Sequence, residues 1–264
     1  MKIIVCMKQV PDTTEVRIDQ KTGTLIREGV PSIINPDDKN AIELALSIKD
    51  SRTDVNVTVI SMGPPQALIA IREALAMGCD EAVLLTDRIF GGSDTYSTAK
   101  VIAAGIEKIG HFDLVLCGRQ AIDGDTAQVG PQIAENLGIP QITYAKKVLE
   151  LTDKKIVVER ALEDGYLVLE SPLPTLVTAV KELNHPRFPH MRRIYEAYAE
   201  DAPIRLWGFN DINVDETQIG IQNSPTKVAK SFVPVKDFVG EQFEGSAKEL
   251  ANTFMVKLRE KKLV

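Results

Sequence analysis

The sequence predicts an α/β protein with a mainly parallel, doubly wound sheet and a C-terminal extended arm ending in a helix. Short runs rich in Val and Ile alternate with longer stretches of helical period, the pattern of βα units around a buried sheet. The connecting segments carry helix start and stop signals in the right order. At 264 residues with 44% hydrophobic side chains, the chain also has enough apolar material for an ordinary core without disulfide or metal staples.

The first strand is the run Ile3, Ile4, Val5, Cys6, Met7. Between Glu15 and Arg27 two short extended pieces flank a Lys21-Thr22-Gly23 turn. The first long helix begins after Asn35-Pro36-Asp37, where an Asn cap, Pro in the first turn and early Asp agree, and Ala41, Leu44, Ala45 and Ile48 form its apolar stripe. A second strand covers residues 55–61, and a helix over 66–77 stops at Gly78. A third strand at 82–86 leads to a helix carrying Ala99, Ile102, Ala103 and Ile106, ended by Gly110. The fourth strand is 113–118, and a helix around 131–137 stops at Gly138. Four extended segments, 146–151, 155–160, 166–170 and 175–180, then suggest an antiparallel or mixed end to the sheet.

After Leu183, Pro186, Pro189 and Pro203 interrupt the pattern, which divides the chain into an α/β domain, residues 1–190, and an arm, 191–264. The only firm element expected in the arm is a helix from about Ala247 to Lys262. A tail of roughly 70 residues with one helix is too small to bury a core, so it is expected to pack on another protein.

Thirty-one Lys and Arg against 37 Asp and Glu, with 5% aromatics, argue against nucleic acid as a partner. Cys6, Cys79 and Cys117 show no zinc or disulfide spacing, and no apolar run is long enough for a signal peptide or a membrane span. The expectation is a reduced, cytoplasmic protein.

In an open α/β sheet ligands bind outside the carboxyl ends of the strands. Three loops fit that position. In residues 118–131, Gly124 and Gly130 allow close backbone approach, and Thr126 and Gln128 offer donors beside a new helix; Asp123 and Asp125 are unfavourable for a bare phosphate. The Gly91-Gly92-Ser93-Asp94-Thr95 loop resembles the S-G-G-x-D-S loop of ATP-pyrophosphatases but has Phe90 where Ser is wanted. Met62-Gly63-Pro64-Pro65 is uncharged and equally reads as a turn that only bounds a pocket. No dinucleotide fingerprint, P-loop, zinc-protease helix or nucleophile elbow is present, and His185 and His190 have no partner spacing. Any chemistry is expected to be carried by a bound cofactor.

Taken together, these residues resemble the β subunit of electron-transfer flavoprotein over essentially the whole chain. The resemblance rests on Val5-Cys6-Met7-Lys8-Gln9-Val10-Pro11-Asp12, on Ile34-Asn35-Pro36 and on Ala74-Leu75-Ala76-Met77-Gly78. It rests further on Gln120-Ala121-Ile122-Asp123-Gly124-Asp125-Thr126 with Gln128-Val129-Gly130-Pro131, and on Arg160 through Glu163-Asp164-Gly165 to Pro172-Leu173-Pro174. Leu167 stands where the family usually has Glu or Gln, which weakens any role given to that carboxylate.

The resemblance implies an adenine-nucleotide-binding, universal-stress-like fold and a heterodimer with an α subunit that the C-terminal arm embraces. In respiratory members the β subunit holds AMP. In bifurcating members that position is extended to FAD, which takes hydride from NADH and sends one electron to ferredoxin or flavodoxin and the other, through the α-subunit FAD, to an acyl-CoA dehydrogenase. The stretches 91–99 and 124–131 look like the bifurcating branch, so FAD is expected and AMP is the alternative. The cofactor-binding residues carried over are Cys6, Asn35, Asp38, Met62, Ala121, Asp123, Gly124, Thr126, Ala127, Gln128 and Val129. Ser93, Asp94 and Thr95 are assigned to NADH. The segment 184–193 resembles a docking loop for the dehydrogenase, with Met191 as apolar anchor and Arg187, Arg192 and Arg193 as a polar rim. Two other classes stay open: a stand-alone adenine-nucleotide-binding module, and an ATP-pyrophosphatase enzyme.

Overall fold

Four consecutive buried residues, Ile3, Ile4, Val5 and Cys6, make β1 (Lys2–Cys6) a strand covered on both faces. Ile3 and Val5 belong to one core cluster, Ile4 and Cys6 to the other, as the twofold alternation of a strand requires. The computed structural model describes residues 1–12, 17–18, 25–26, 31–227, 229 and 240–264.

After β1 the chain makes an excursion. β2 (Gln9–Pro11) leads to β3 (Arg17–Ile18), which pairs antiparallel with β4 (Leu25–Ile26), and β5 (Ser32–Ile34) returns antiparallel to β2. The turn expected at Lys21-Thr22-Gly23 lies outside the described residues. Helix α1 (Pro36–Ser51) starts at its proline, with Asp37 and Asp38 at the positive end of the helix dipole. Then follow β6 (Asn56–Met62), α2 (Leu68–Met77), β7 (Glu81–Leu85), α3 (Thr95–Ile109), β8 (Leu114–Gly118) and α4 (Val129–Leu137). Gly138 ends α4 in the left-handed conformation, with φ 63°. Apolar residues of α1 and α2 pack in one core cluster and those of α3 and α4 in the other, so helices cover both faces of the sheet.

β9 (Gln141–Leu151), β10 (Lys155–Ala161) and β11 (Tyr166–Pro172) form an antiparallel ladder, and β12 (Thr175–Ala179) lies parallel between β9 and β8. The mixed end expected from the sequence is therefore present. Helix α5 (Met191–Tyr198) is followed by β13 (Ile204–Trp207) and the short α6 (Gly220–Asn223). The central sheet has the order β11-β10-β9-β12-β8-β1-β6-β7-β13.

The break expected at residue 190 lies instead at Ala229: the two compact units are Met1–Ala229 and Lys230–Val264. Residues 191–229, assigned to the arm from sequence, complete the first unit. β13 runs parallel to β7, held by ladder bonds and by Ala82 N–H to Pro203 O (2.9 Å) and Thr86 N–H to Trp207 O (2.9 Å). On α2, Arg72 donates to the Ala197 carbonyl and stacks over the Tyr198 ring. Backbone pairing of this kind leaves little trace in an apolar pattern.

The second unit, described from residue 240, contains α7 (Ala247–Glu260). The Glu249 carboxylate accepts from the backbone N–H (2.9 Å) and hydroxyl (2.6 Å) of Ser246 at its start. None of its described residues is buried, and Phe254, Met255 and Val256 are exposed. No helix among the described residues is long and apolar enough to cross a membrane.

Candidate functional site

The connection from β1 runs through α1 to β6 on one side, whereas α3 returns to β8 on the other. Neighbouring strands β1 and β8 therefore flank a topological switch point, and in open α/β sheets ligands bind in the crevice at the carboxyl ends of such strands. Asp38, in the first turn of α1, ties both strand ends together: one oxygen accepts from Lys8 N–H (2.8 Å), the other from Gly118 N–H (2.8 Å). Burial pushes the Asp38 carboxyl up to about 7, although both backbone hydrogen bonds pull it down. Gly118 is required by this contact. A Cβ there would lie 2.4 Å from Asp38 Oδ1 and 2.7 Å from the Asp37 backbone.

Asn35 stands at the N-cap position, yet its side chain caps nothing. Its amide donates to Gln120 O (2.8 Å) and its oxygen accepts from Ile122 N–H (3.0 Å), so it fastens the loop after β8 to the start of α1. The expected Asn cap is thus a correction: the residue type is right for a cap, but the side chain serves the loop.

The loop itself turns on two left-handed residues, Asp125 (φ 48°) and Ala127 (φ 52°), followed by right-handed Gln128 at the N-terminus of α4. Alternation of hand turns successive amides toward one side, a concavity suited to anions at the positive end of a helix. The two acids that count against phosphate are already engaged. Lys8 Nζ donates to both oxygens of Asp123 (2.7 and 2.8 Å), and Gln120 donates to Asp125 (2.7 Å). A Cβ on Gly124 would meet nothing within 4 Å, whereas one on Gly130 would lie 2.8 Å from Cys117 Sγ.

Hydrogen bonds thus bring Asn35 and Asp38 to the end of β1 and the loop after β8, and Asp123 to Lys8, while Ala121, Gly124, Thr126, Ala127, Gln128 and Val129 follow along that loop into α4; Cys6 is buried at the end of β1. Met62 ends β6, one strand away and half-buried against the second core cluster. Lys8, Gly118 and Gln120 join Asn35, Asp38 and Asp123 through these hydrogen bonds; the candidate loop 118–131 contained Gly118, Arg119 and Gln120, but none of the four was singled out as a binding residue. Arg119 Nε lies 3.4 Å from Asp37 Oδ2 without hydrogen-bond alignment.

Of the residues assigned to NADH, two have side chains engaged by the fold. Asp94 caps α3 through Ser97 N–H (3.0 Å) and accepts from the backbone (2.9 Å) and hydroxyl (2.8 Å) of Thr226. Burial would raise its carboxyl, but these bonds outweigh burial and hold it below the usual range. Ser93 donates to Phe90 O (2.8 Å) and accepts from Gly220 N–H (3.2 Å). Thr95 instead donates to Gln128 Oε1 (2.9 Å), which joins this loop to the crevice.

The segment 184–193, assigned to docking from sequence, is stitched to α1. Asn40 and Asn184 exchange hydrogen bonds (2.8 and 2.9 Å). Arg187 reaches both oxygens of Glu43 (2.8 Å each) and Asp50 (2.7 Å), while its own N–H meets Glu43 (2.9 Å). Burial alone would raise Glu43, but the Arg187 bonds prevail and hold it low. Arg187 is therefore an anchor beneath the surface patch rather than part of its rim. Arg192 pairs with Glu196 one turn on (2.9 Å), and Arg193 is half-buried. Met191 is 69% exposed, and Phe188, missed from sequence, is 93% exposed.

The electron transfer flavoprotein domain family matches residues 22–205. The chain is 55% identical over 264 residues to the electron transfer flavoprotein subunit beta of Thermoanaerobacterium thermosaccharolyticum, covering all of both chains. It is 57% identical over 260 residues to the corresponding subunit of Clostridium acetobutylicum, 98% of each chain. It is also 53% identical over 265 residues to the caffeyl-CoA reductase-Etf complex subunit CarD of Acetobacterium woodii, again covering both chains fully. With the parallel sheet, the loop at its switch point and this full-length similarity in place, the chain belongs to the electron transfer flavoprotein family, as a homologue of its β subunits.

Proposed function

We propose that this chain is the β subunit of a cytoplasmic, bifurcating electron-transfer flavoprotein, a heterodimer with an α subunit. It would hold FAD in the crevice between β1 and β8, take hydride from NADH, and pass electrons to ferredoxin or flavodoxin and, through the α-subunit FAD, to an acyl-CoA dehydrogenase. The observation that carries this reading is the loop at residues 119–129, whose left-handed Ala127 and right-handed Gln128 present amides at the start of α4 while both neighbouring acids are engaged. A phosphate fits those amides.

Asn35 and Asp38 hold the loop and the end of β1 in place, and Lys8 keeps Asp123 from repelling an anion. Open space at Gly124 leaves room beside the phosphate position, which supports FAD over AMP. When bound, the flavin supplies the exchange between two-electron and one-electron chemistry. Among the residues assigned to NADH, Thr95 supports that role through its hydrogen bond to Gln128 of the crevice loop. The exposed apolar residues of α7 support packing against the α subunit. The printed name of CarD ties that relative to a caffeyl-CoA reductase, which supports an acyl-CoA-linked partner here.

The test is a cofactor count. After co-expression with the α subunit and denaturation, two FAD and no AMP per heterodimer are expected. One FAD with one AMP would overturn the bifurcating reading and leave a subunit with structural AMP. A stable homodimer that binds ATP alone would point to the nucleotide-binding module instead.

A further inference from the structure

Cys6 and Cys117 are directly opposite each other in the parallel pair β1–β8. Both belong to the core cluster on the α3 and α4 face, so their side chains project to the same side of the sheet. Cys117 Sγ lies 2.8 Å from where a Cβ on Gly130 would stand, which puts the thiols beneath the first turn of α4 and the loop that precedes it. Both are free, and the third cysteine, Cys79, lies in the opposite core cluster.

The spacing selects the chemistry. The two cysteines are free thiols on neighbouring strands, and such strands lie about 4.8 Å apart. A thiophilic centre with bonds of about 2.3 Å to each sulfur bridges sulfurs roughly 4 Å apart. We propose that Cys6 and Cys117 form a chelating dithiol, a binding site for trivalent arsenic beneath the cofactor loop, whose occupation excludes the adenylate ligand of that loop. With arsenous acid, two S–As bonds form and two As–O bonds break. The thiol protons leave with the two hydroxides as water, and arsenic keeps its oxidation state. Burial pushes both thiols well above the ordinary range, so they are protonated until those bonds exchange.

The exclusion of adenylate rests on the cofactor reading given above; the dithiol does not. The test treats the purified heterodimer with arsenite, removes the excess, alkylates in denaturant and maps this chain's peptides by mass spectrometry. One arsenic is expected, with Cys6 and Cys117 protected and Cys79 alkylated. Cys6→Ala and Cys117→Ala should each weaken binding at least tenfold, whereas Cys79→Ala leaves it unchanged. Protection of Cys79, or unchanged binding in Cys6→Ala, overturns the dithiol. If an alanine variant does not fold, the protection pattern of the unsubstituted protein still decides. Saturating FAD or AMP should slow uptake at least tenfold; uptake at an undiminished rate, with the dithiol otherwise intact, overturns the placement of the cofactor over these thiols.

Discussion

Two regions of the molecule hang on the same helix and are built in opposite ways. At the start of α1, Asn35 and Asp38, both buried themselves, use their side chains on strand ends and loop. Two to eight residues on, at most about 12 Å along the axis, Asn40 and Glu43 grip the segment 184–187. Here the anchoring groups are covered, and Phe188 and Met191 are left in solvent. The crevice holds its geometry by filling space. The segment 184–191 holds its backbone while its apolar side chains stay in solvent, an arrangement that costs little ordering on binding. On the proposed function, a site for a resident ligand and a site for a passing partner share one support.

The contrast breaks most sharply at Gly118. Gly118→Ala places a methyl against the Asp38 carboxylate and the Asp37 backbone, neither of which is a flexible chain end. A loss of about 3 kcal/mol is expected, at the upper end of overpacking costs, together with loss of bound nucleotide; chemical denaturation and cofactor content measure the two. A variant of native stability would show that the crevice is looser than described.

Arg187→Ala comes next. It strips Glu43, whose side chain is only 10% exposed, of two hydrogen bonds and removes the one to Asp50. About 2 kcal/mol is expected, less than for a fully buried pair because Arg187 is itself one-third exposed. Amide exchange should accelerate over residues 181–190 while protection at residues 3–6 and 114–118 is kept. Equal loss of protection in both places would mean that α1 does not insulate the two regions.

How far the sequence reaches differs between these regions for a physical reason. β1, β8 and α1 were legible because burial on two faces and a Pro at a helix start leave local signatures. The loop at residues 118–131 was legible from its glycines beside a new helix. Asp94 carried a local cap signal that outweighed its resemblance to a ligand contact. The fork between Arg187 and Glu43 spans 144 positions and has no local signature at all. α5 was missed because only Ala197 among its eight residues is buried, so no apolar stripe faces a core. β13 is a four-residue edge strand recognised by its ladder rather than its pattern.

A smaller effect follows from Asp38. Its carboxyl is raised by burial to about 7, so between the ordinary carboxylate value and about 7 the folded state binds more protons than the unfolded. Its contribution to stability therefore falls as pH rises through that window and is level on either side. Asp38→Asn removes this dependence but offers one oxygen where two amides need acceptors, at a cost of about 1–3 kcal/mol. Denaturation midpoints between roughly pH 4.5 and 8 should show the gap between parent and variant narrowing as pH rises. A constant gap would place the proton elsewhere.

The smallest effect on the fold, and the clearest on function, is expected at the docking surface. Phe188 is 93% exposed and Met191 69%, so truncating either to alanine should change stability by less than about 0.5 kcal/mol. If they anchor the dehydrogenase, each loses contact area at the centre of a transient interface, where a residue is worth at least about 1.4 kcal/mol, or tenfold in affinity. Electron transfer to the acyl-CoA dehydrogenase should fall accordingly while flavin content stays the same. The double variant sharpens the comparison further: because Arg187 fixes the backbone beneath both, the two losses should couple only in the presence of Arg187. Flavin loss in either single variant would show that this surface supports the crevice, contrary to the division of roles along α1.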